Sequence, residues 1–188
     1  DPAQDALEKT LDHADQVLAE GRDRVRNLRA TTVPLGGLPA AFRRVVEETP
    51  QGSNVAFKTV VEGSVRELHP IIREESYCIG REALVNALTH SEGRHVEVEI
   101  TYDPRQFRLR VRDDGRGIDP AIIEEGRPDH WGLRGMRERA QRIGAQLNLW
   151  SRAETGTEVE LTVPGATAYQ AHGDRPKRFR FRRSPRTD

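Results

Sequence analysis

The chain has 188 residues, 35% of them hydrophobic and 32% charged, a length that suits one ordinary domain plus an appendage. Thirty basic and thirty acidic residues cancel to a formal net charge of +0, which removes any global electrostatic argument for nucleic acid or for a membrane surface. The single Cys78 excludes an internal disulfide, no cluster has zinc-ligand spacing, and no apolar run approaches the ~20 residues of a membrane span. A soluble, reducing compartment follows as the default, and the abrupt start at Asp1-Pro2 reads as that of an excised fragment. Low apolar content with high charge leans toward disorder or long exposed helices. Here the charge concentrates toward the ends and leaves a packable middle.

Residues 1–30 carry a heptad. Leu7, Leu11, Ala14, Leu18, Gly21, Val25 and Leu28 are spaced 4, 3, 4, 3, 4, 3, an apolar seam too narrow for an ordinary core and suited to partner helices. A helix lying on its own domain is the plainer alternative. The stretch 31–37, with Pro34, Gly36 and Gly37, is a linker. Leu38 to Thr49 reads as a helix, Val55 to Val61 as a strand, and Pro70 to His90 as a helix with proline in its first turn. Val96, Val98 and Ile100 alternate with polar residues, as do Phe107, Leu109 and Val111 after a turn at Asp103-Pro104. This is a hairpin with one buried face. Residues 118–131 read as a loop, Gly132 to Ile143 as a helix, and Leu147–Leu149 with Val159, Leu161 and Val163 as a last hairpin around Glu154-Thr155-Gly156. The fold class is α/β, a two-layer sandwich with a mixed sheet of about five strands and helices on one face. From about residue 166 the chain becomes a basic, disordered tail; contact with anionic lipid or nucleic acid is its less favoured reading.

Three segments could carry chemistry. Glu82, Asn86 and His90 recur every four residues and form one polar stripe on a helix. A carboxylate beside an amide suits a magnesium ion that keeps most of its waters. Glu82 could also orient or deprotonate an attacking group. Next, Asp113-Asp114-Gly115-Arg116-Gly117-Ile118 ends a strand; its glycines let a flat ligand approach, and a fixed aspartate there can accept from an exocyclic amine. Finally, Gly132-Leu133-Arg134-Gly135 opens a helix whose free amides suit phosphate oxygens, with Arg134 or Arg137 adding charge. Each segment alone is equally a wet helix face, an ordinary β-turn or a helix start. Their order and spacing together describe a magnesium-nucleotide pocket.

With these segments in hand, the chain resembles the ATP-binding catalytic domain of sensor histidine kinases. That domain has the Bergerat (GHKL) fold shared with gyrase B, MutL and heat-shock chaperones. EALVNALTH, residues 82–90, resembles the N box; DDGRGI, residues 113–118, the first glycine box; and GLRGMRERA, residues 132–140, the second. Ile143-Gly144-Ala145 and Gly156-Thr157-Glu158-Val159 complete the pattern over roughly residues 38–165. The second glycine box is closest to the nitrate-sensor-like subfamily, and the ending resembles sensors with propeller and three-Y ectodomains.

The resemblance implies the cofactors ATP and Mg²⁺. It makes Asn86 a magnesium ligand, with Glu82 its acidic companion, directly or through water. It implies that Asp113 reads adenine N6, that Gly115, Gly117 and Ile118 line the base, and that Thr157 sits near it. Gly132, Leu133, Arg134 and Gly135 would hold phosphates, and Glu82, Asn86 and His90 form the catalytic group. One departure stands out: many relatives carry Lys or Arg where this chain has Thr89, so a phosphate contact implied there is either missing or supplied by His90 or Arg134. The heptad helix resembles the second helix of a dimerisation and phosphoacceptor hairpin. The acceptor histidine belongs on a first helix absent from this chain, and His13, followed by Ala14, does not match it.

The implied function is transfer of the ATP γ-phosphoryl group to that histidine. The implied partners are a second copy in a homodimer and a response-regulator receiver domain, without specific nucleic acid. The implied place is the cytoplasmic side of a membrane-anchored parent. A fragment of this kind is expected to bind ATP and to autophosphorylate only when an acceptor hairpin is supplied. The alternatives are an anti-sigma-type serine kinase, against which the heptad seam argues, and a non-catalytic ATP-dependent interaction module or gyrase-like clamp.

Overall fold

A computed structural model describes residues 37–118 and 131–170. The heptad helix, residues 119–130 of the loop expected at 118–131, and the basic tail beyond residue 170 lie outside the described residues.

The segments read as strands become strands. They are β1 (Ala56–Gly63), β2 (His95–Asp103), β3 (Gln106–Asp113), β4 (Gln146–Arg152) and β5 (Gly156–Pro164). They form one sheet in the order β1-β2-β3-β5-β4. β1 runs parallel to β2, and the remaining neighbours are antiparallel. The helices are α1 (Gly37–Glu48), α2 (Pro70–His90), α3 (Trp131–Arg142) and the single turn α4 (Gly165–Ala168), with a 3₁₀ turn at Pro50–Asn54. A parallel pair needs a crossover, and α2 supplies it between β1 and β2.

Period-two alternation separates the faces of the sheet. Val96, Val98, Ile100, Phe107, Leu109, Val111, Leu161 and Val163 are all 3% exposed or less and form one core with the helices. Into it α1 contributes Leu38, Phe42 and Val45, α2 contributes Ile79, Ala83, Leu84 and Ala87, and α3 contributes Met136 and Ala140. Phe42 crosses α2 at Gly80, where an added Cβ would sit 2.5 Å from the phenyl ring. The opposite face of the sheet is a charge lattice. Buried Glu99 pairs with Arg108 at 2.6 Å and with Arg110, and Lys58 pairs with Glu97 at 2.7 Å.

Among the described residues the expected elements are present, with two additions at places too short for a periodic signal. The 3₁₀ turn after α1 is one. The other is α4 with Tyr169, which carries the fold past the expected end at residue 165. The Tyr169 hydroxyl donates to the carbonyls of Asp103 (2.9 Å) and Gln106 (3.2 Å), bracketing the β2–β3 turn. The His69 N–H donates to Ala168 O at 2.8 Å, so the same closure anchors the start of α2.

Candidate functional site

Between α2, α3 and the ends of β3, β4 and β5 lies a cavity of about 950 Å³. Its walls follow from two periodicities. On α2, Ile79 is buried in the core, Ala83 and Ala87 are buried and floor the cavity, and Glu82, Asn86 and His90 line its polar side. On β3 the inward set Phe107, Leu109, Val111 ends on Asp113, so the alternation that buries the apolar residues also buries this carboxylate. Asp113 is 5% exposed and its side chain faces the cavity.

The two adjacent aspartates divide their work. Asp113 Oδ1 accepts the N–H groups of Gly115 (2.9 Å) and Thr157 (3.3 Å). Its Oδ2 accepts no hydrogen bond among the described residues. Burial pushes its pKa up, the two backbone hydrogen bonds pull it down, and neighbouring Asp114 adds to the rise; the net direction is upward. Asp114 points the other way. Its Oδ1 accepts from the backbone of Arg94 and His95, each at 2.8 Å, and its Oδ2 lies 2.7 Å from His95 Nδ1. Backbone and side-chain hydrogen bonds from His95 lead in lowering its pKa to about 2. Asp113 is thus the ligand-facing acid, and Asp114 pins the start of β2.

Close packing shapes the rest. A Cβ on Gly115 would stand 2.2 Å from the Ser91 carbonyl oxygen, so this glycine joins the turn to the end of α2 rather than lining the cavity. Gly156, at φ +99°, brings the β4–β5 hairpin so close that a Cβ would lie 2.0 Å from Asp113 O. Across that contact Glu154 N–H donates to Arg116 O at 3.0 Å. Ser151 Oγ accepts the Ile118 N–H at 2.7 Å and lies 3.0 Å from Thr157 Oγ1. At the other end, a Cβ on Gly132 would meet Glu82 Oε1 at 2.3 Å and Asn86 Nδ2 at 3.5 Å. The first turn of α3 therefore rests directly on the polar stripe of α2.

Of the residues singled out from sequence, Glu82, Asn86, His90, Asp113, Gly117, Ile118, Gly132, Leu133 and Thr157 surround this one cavity. Four do not reach its wall, Arg137 among them. Gly115 is spent on packing against Ser91, Gly135 faces open space, and Arg134 lies along α3 in an ion pair with Glu138 at 2.9 Å. Thr89 turns its hydroxyl back to the Val85 carbonyl. Arg116, Glu154 and Ser91 line the cavity without having been singled out. Ser151 had a signal: it continues the inward set Leu147, Leu149, and a hydroxyl in that position calls for a polar partner. Among the described residues no group of three His, Cys, Asp or Glu side chains could hold a metal by itself.

Residues 77–167, which contain every residue of the cavity wall, match the profile of the histidine kinase-, DNA gyrase B- and HSP90-like ATPases. The domain belongs to this ATPase family. Its relatives place it on the histidine kinase branch. Over 154 residues it is 30% identical to the sensor protein NarQ homolog of Haemophilus influenzae, a match covering 80% of this chain and 27% of that protein. It is 33% identical over 120 residues to the sensor protein VraS of Staphylococcus epidermidis, covering 64% of this chain and 34% of VraS. Among solved structures, the histidine kinase domain of a blue-light activated histidine kinase from Erythrobacter litoralis superposes with a TM-score of 0.58 at 25% identity. That match covers 69% of this chain and 62% of the other. The chain thus spans about a quarter to a third of the length of the curated relatives it matches. No helix among the described residues is long and apolar enough to cross a membrane.

Proposed function

We propose that this histidine kinase-type domain binds Mg-ATP in the cavity and presents the γ-phosphoryl group to a histidine on a dimerisation hairpin. The observation that carries the proposal is one cavity holding three complementary walls: a buried carboxylate with an open oxygen, an amide–carboxylate stripe, and the amide-rich start of a helix. Asp113 Oδ2 accepts from the adenine N6 amine, as its two backbone donors fix Oδ1 and leave Oδ2 to the cavity. Gly117, Ile118 and Thr157 contact the base, with Leu149 and Val159 supplying apolar wall. Asn86 and Glu82 form the donor set for Mg²⁺, a hard oxygen-seeking ion. When bound, that ion neutralises charge on the phosphate oxygens. Gly132 and Leu133 offer backbone N–H groups at a positive helix end. His90, one turn beyond Asn86, faces the same space and supplies a polar contact where Thr89 cannot.

The reaction asks little covalent work of the protein, so alignment and charge stabilisation dominate. The coarser organisation follows the same reading. Residues 1–30 form the second helix of the hairpin, 31–37 a linker, 38–165 the catalytic domain closed by the next five residues, and the rest a basic tail. The parent is a homodimeric, membrane-anchored sensor with its kinase in the cytoplasm and a receiver domain as its phosphoryl acceptor. The heptad seam favours this over a serine kinase built on the same pocket.

Calorimetric titration of Mg-ATP into the chain, with Asp113→Asn in parallel, tests the pocket. Asparagine keeps the Oδ1 acceptor for Gly115 and Thr157 but turns the open oxygen into a donor facing another donor. Saturable binding by the wild type and a loss of about 100-fold or more in the variant are expected. The apo variant should melt no lower than wild type at neutral pH. The raised pKa means that ionising Asp113 costs the fold stability as pH rises, and asparagine cannot ionise. Equal binding by both proteins would refute the assignment of Asp113.

A further inference from the structure

On α2, two turns before Glu82, stands a second carboxylate that the nucleotide reading leaves unused. Glu75 is 7% exposed, buried at the seam between α2 and α3. Each of its oxygens has its own partner on α3: Oε2 accepts from Arg139 Nη1 at 2.9 Å, and Oε1 from Arg142 Nη1 at 2.8 Å. Charge-assisted bonds of this length are directional as well as strong. Two of them, to arginines one turn apart, resist both rotation and axial sliding of α3.

The spacing explains what that restraint serves. Glu82 lies seven residues after Glu75 on α2, and Arg139 lies seven after Gly132 on α3. Seven residues are two turns, about 10.5 Å of helix. The helices run antiparallel, so fixing Arg139 at Glu75 sets where Gly132 falls beside Glu82. At the Gly132 end no side chain of the glycine interlocks, because the space a Cβ needs is filled by Glu82 Oε1. Between the ends α3 buries Met136 and Ala140, with Leu133 half-buried against the core at its start. Met is a conformable side chain and Ala a small one, and neither specifies register strongly. An apolar residue at position 75 would pack a seam at least as well, since buried ion pairs seldom add net stability over apolar replacements. What the ion pair adds is a defined position.

We propose that Glu75 is a positioning residue. Through Arg139 and Arg142 it sets the register of α3 on α2, and so places the Gly132–Leu133 amides where the phosphates of the nucleotide lie. The inference rests on the nucleotide reading of the cavity and predicts a division within the ligand. The adenine end is held by Asp113 and the sheet, which Glu75 does not touch; the phosphate end depends on α3.

Titrating the whole chain with Mg-ATP and, separately, with adenosine tests that division in the wild type, in Glu75→Gln and in Arg142→Gln. For Glu75→Gln the Kd for Mg-ATP is expected to rise about tenfold or more, while that for adenosine stays within about twofold. Arg142→Gln, at the exposed last residue of α3, should move the same ratio in the same direction by less. Should Glu75→Gln fail to fold by far-UV circular dichroism, the Arg142→Gln ratio decides. Unchanged affinities, or equal weakening toward both ligands, would reduce the cluster to a structural ion pair and overturn the proposal. A wild-type chain that binds neither ligand would overturn the nucleotide reading and this inference with it. A wild type that binds while the ratio holds in both variants overturns this inference alone.

Discussion

Two neighbouring aspartates of identical chemistry end up with opposite pKa shifts, because a strand turns successive side chains to opposite faces. Asp113 follows Val111 inward, loses water and rises; Asp114 faces out, gains three donors and falls to about 2. The sign of each pH effect follows. A depressed carboxylate stabilises the fold above its ordinary pKa, and that contribution disappears as pH falls from about 4 toward about 2. Asp114→Asn should therefore flatten the acid limb of a thermal-stability profile across that window and leave neutral nucleotide affinity nearly unchanged. Because the Asp114 side chain is 48% exposed, the effect is modest. Asp113 works in reverse: its protonation in acid removes the acceptor for the base, so affinity for the nucleotide should decline as pH falls toward its raised pKa. Which of the two acids faces the ligand follows from strand parity, legible in Phe107, Leu109 and Val111. The donors that fix Oδ1 were not legible, since one of them is the Thr157 N–H, 44 residues away.

At the scale of elements, the strands and longer helices among the described residues were readable, because burial of one face demands a repeat of two or 3.6 residues. The exceptions are closures made by a few residues. The segment Pro164-Gly165-Ala166-Thr167-Ala168-Tyr169 has no period, yet it seals the base of the sheet. Tyr169 is 8% exposed, its hydroxyl bonds two carbonyls of the β2–β3 turn, and the Arg66 guanidinium stands 4.3 Å from its ring centroid. Tyr169→Phe keeps the ring and removes only the hydroxyl, so it should cost about 1–2 kcal/mol in denaturant unfolding with an unchanged m-value. Nucleotide affinity should be retained, as the closure lies at the opposite end of the sheet from Asp113. A variant that unfolded by no less denaturant than wild type would show the two hydrogen bonds to be energetically idle.

For the whole molecule, the arrangement divides the labour between a platform and a helix anchored onto it. The sheet and α2 carry Asp113, Asn86 and Glu82, and α3 approaches them from a separate stretch of chain. On the proposed function, such a domain is expected to hold a nucleotide and to turn over only with its acceptor. Incubating the chain with Mg-ATP and a separately supplied dimerisation hairpin bearing a histidine should yield a phosphorylated hairpin. Its label should be lost in acid and kept in base, as for a phosphorus–nitrogen bond. An acid-stable product on serine would transfer the domain to the serine kinase reading. Nucleotide binding without transfer to any hairpin would favour an ATP-gated interaction module.

By itself the sequence determined the layers, the order of the elements, the family resemblance and nine of the residues that meet around the cavity, because these depend on local period and on motifs of a few residues. Only the tertiary structure decided that Gly115, Arg134 and Gly135 stand off the cavity wall, that Gly156 is pressed against Asp113, and that Glu75 grips α3. Each of these depends on the distance between segments far apart in the chain. Local periodicity says which face a residue shares, but only packing settles what that face meets.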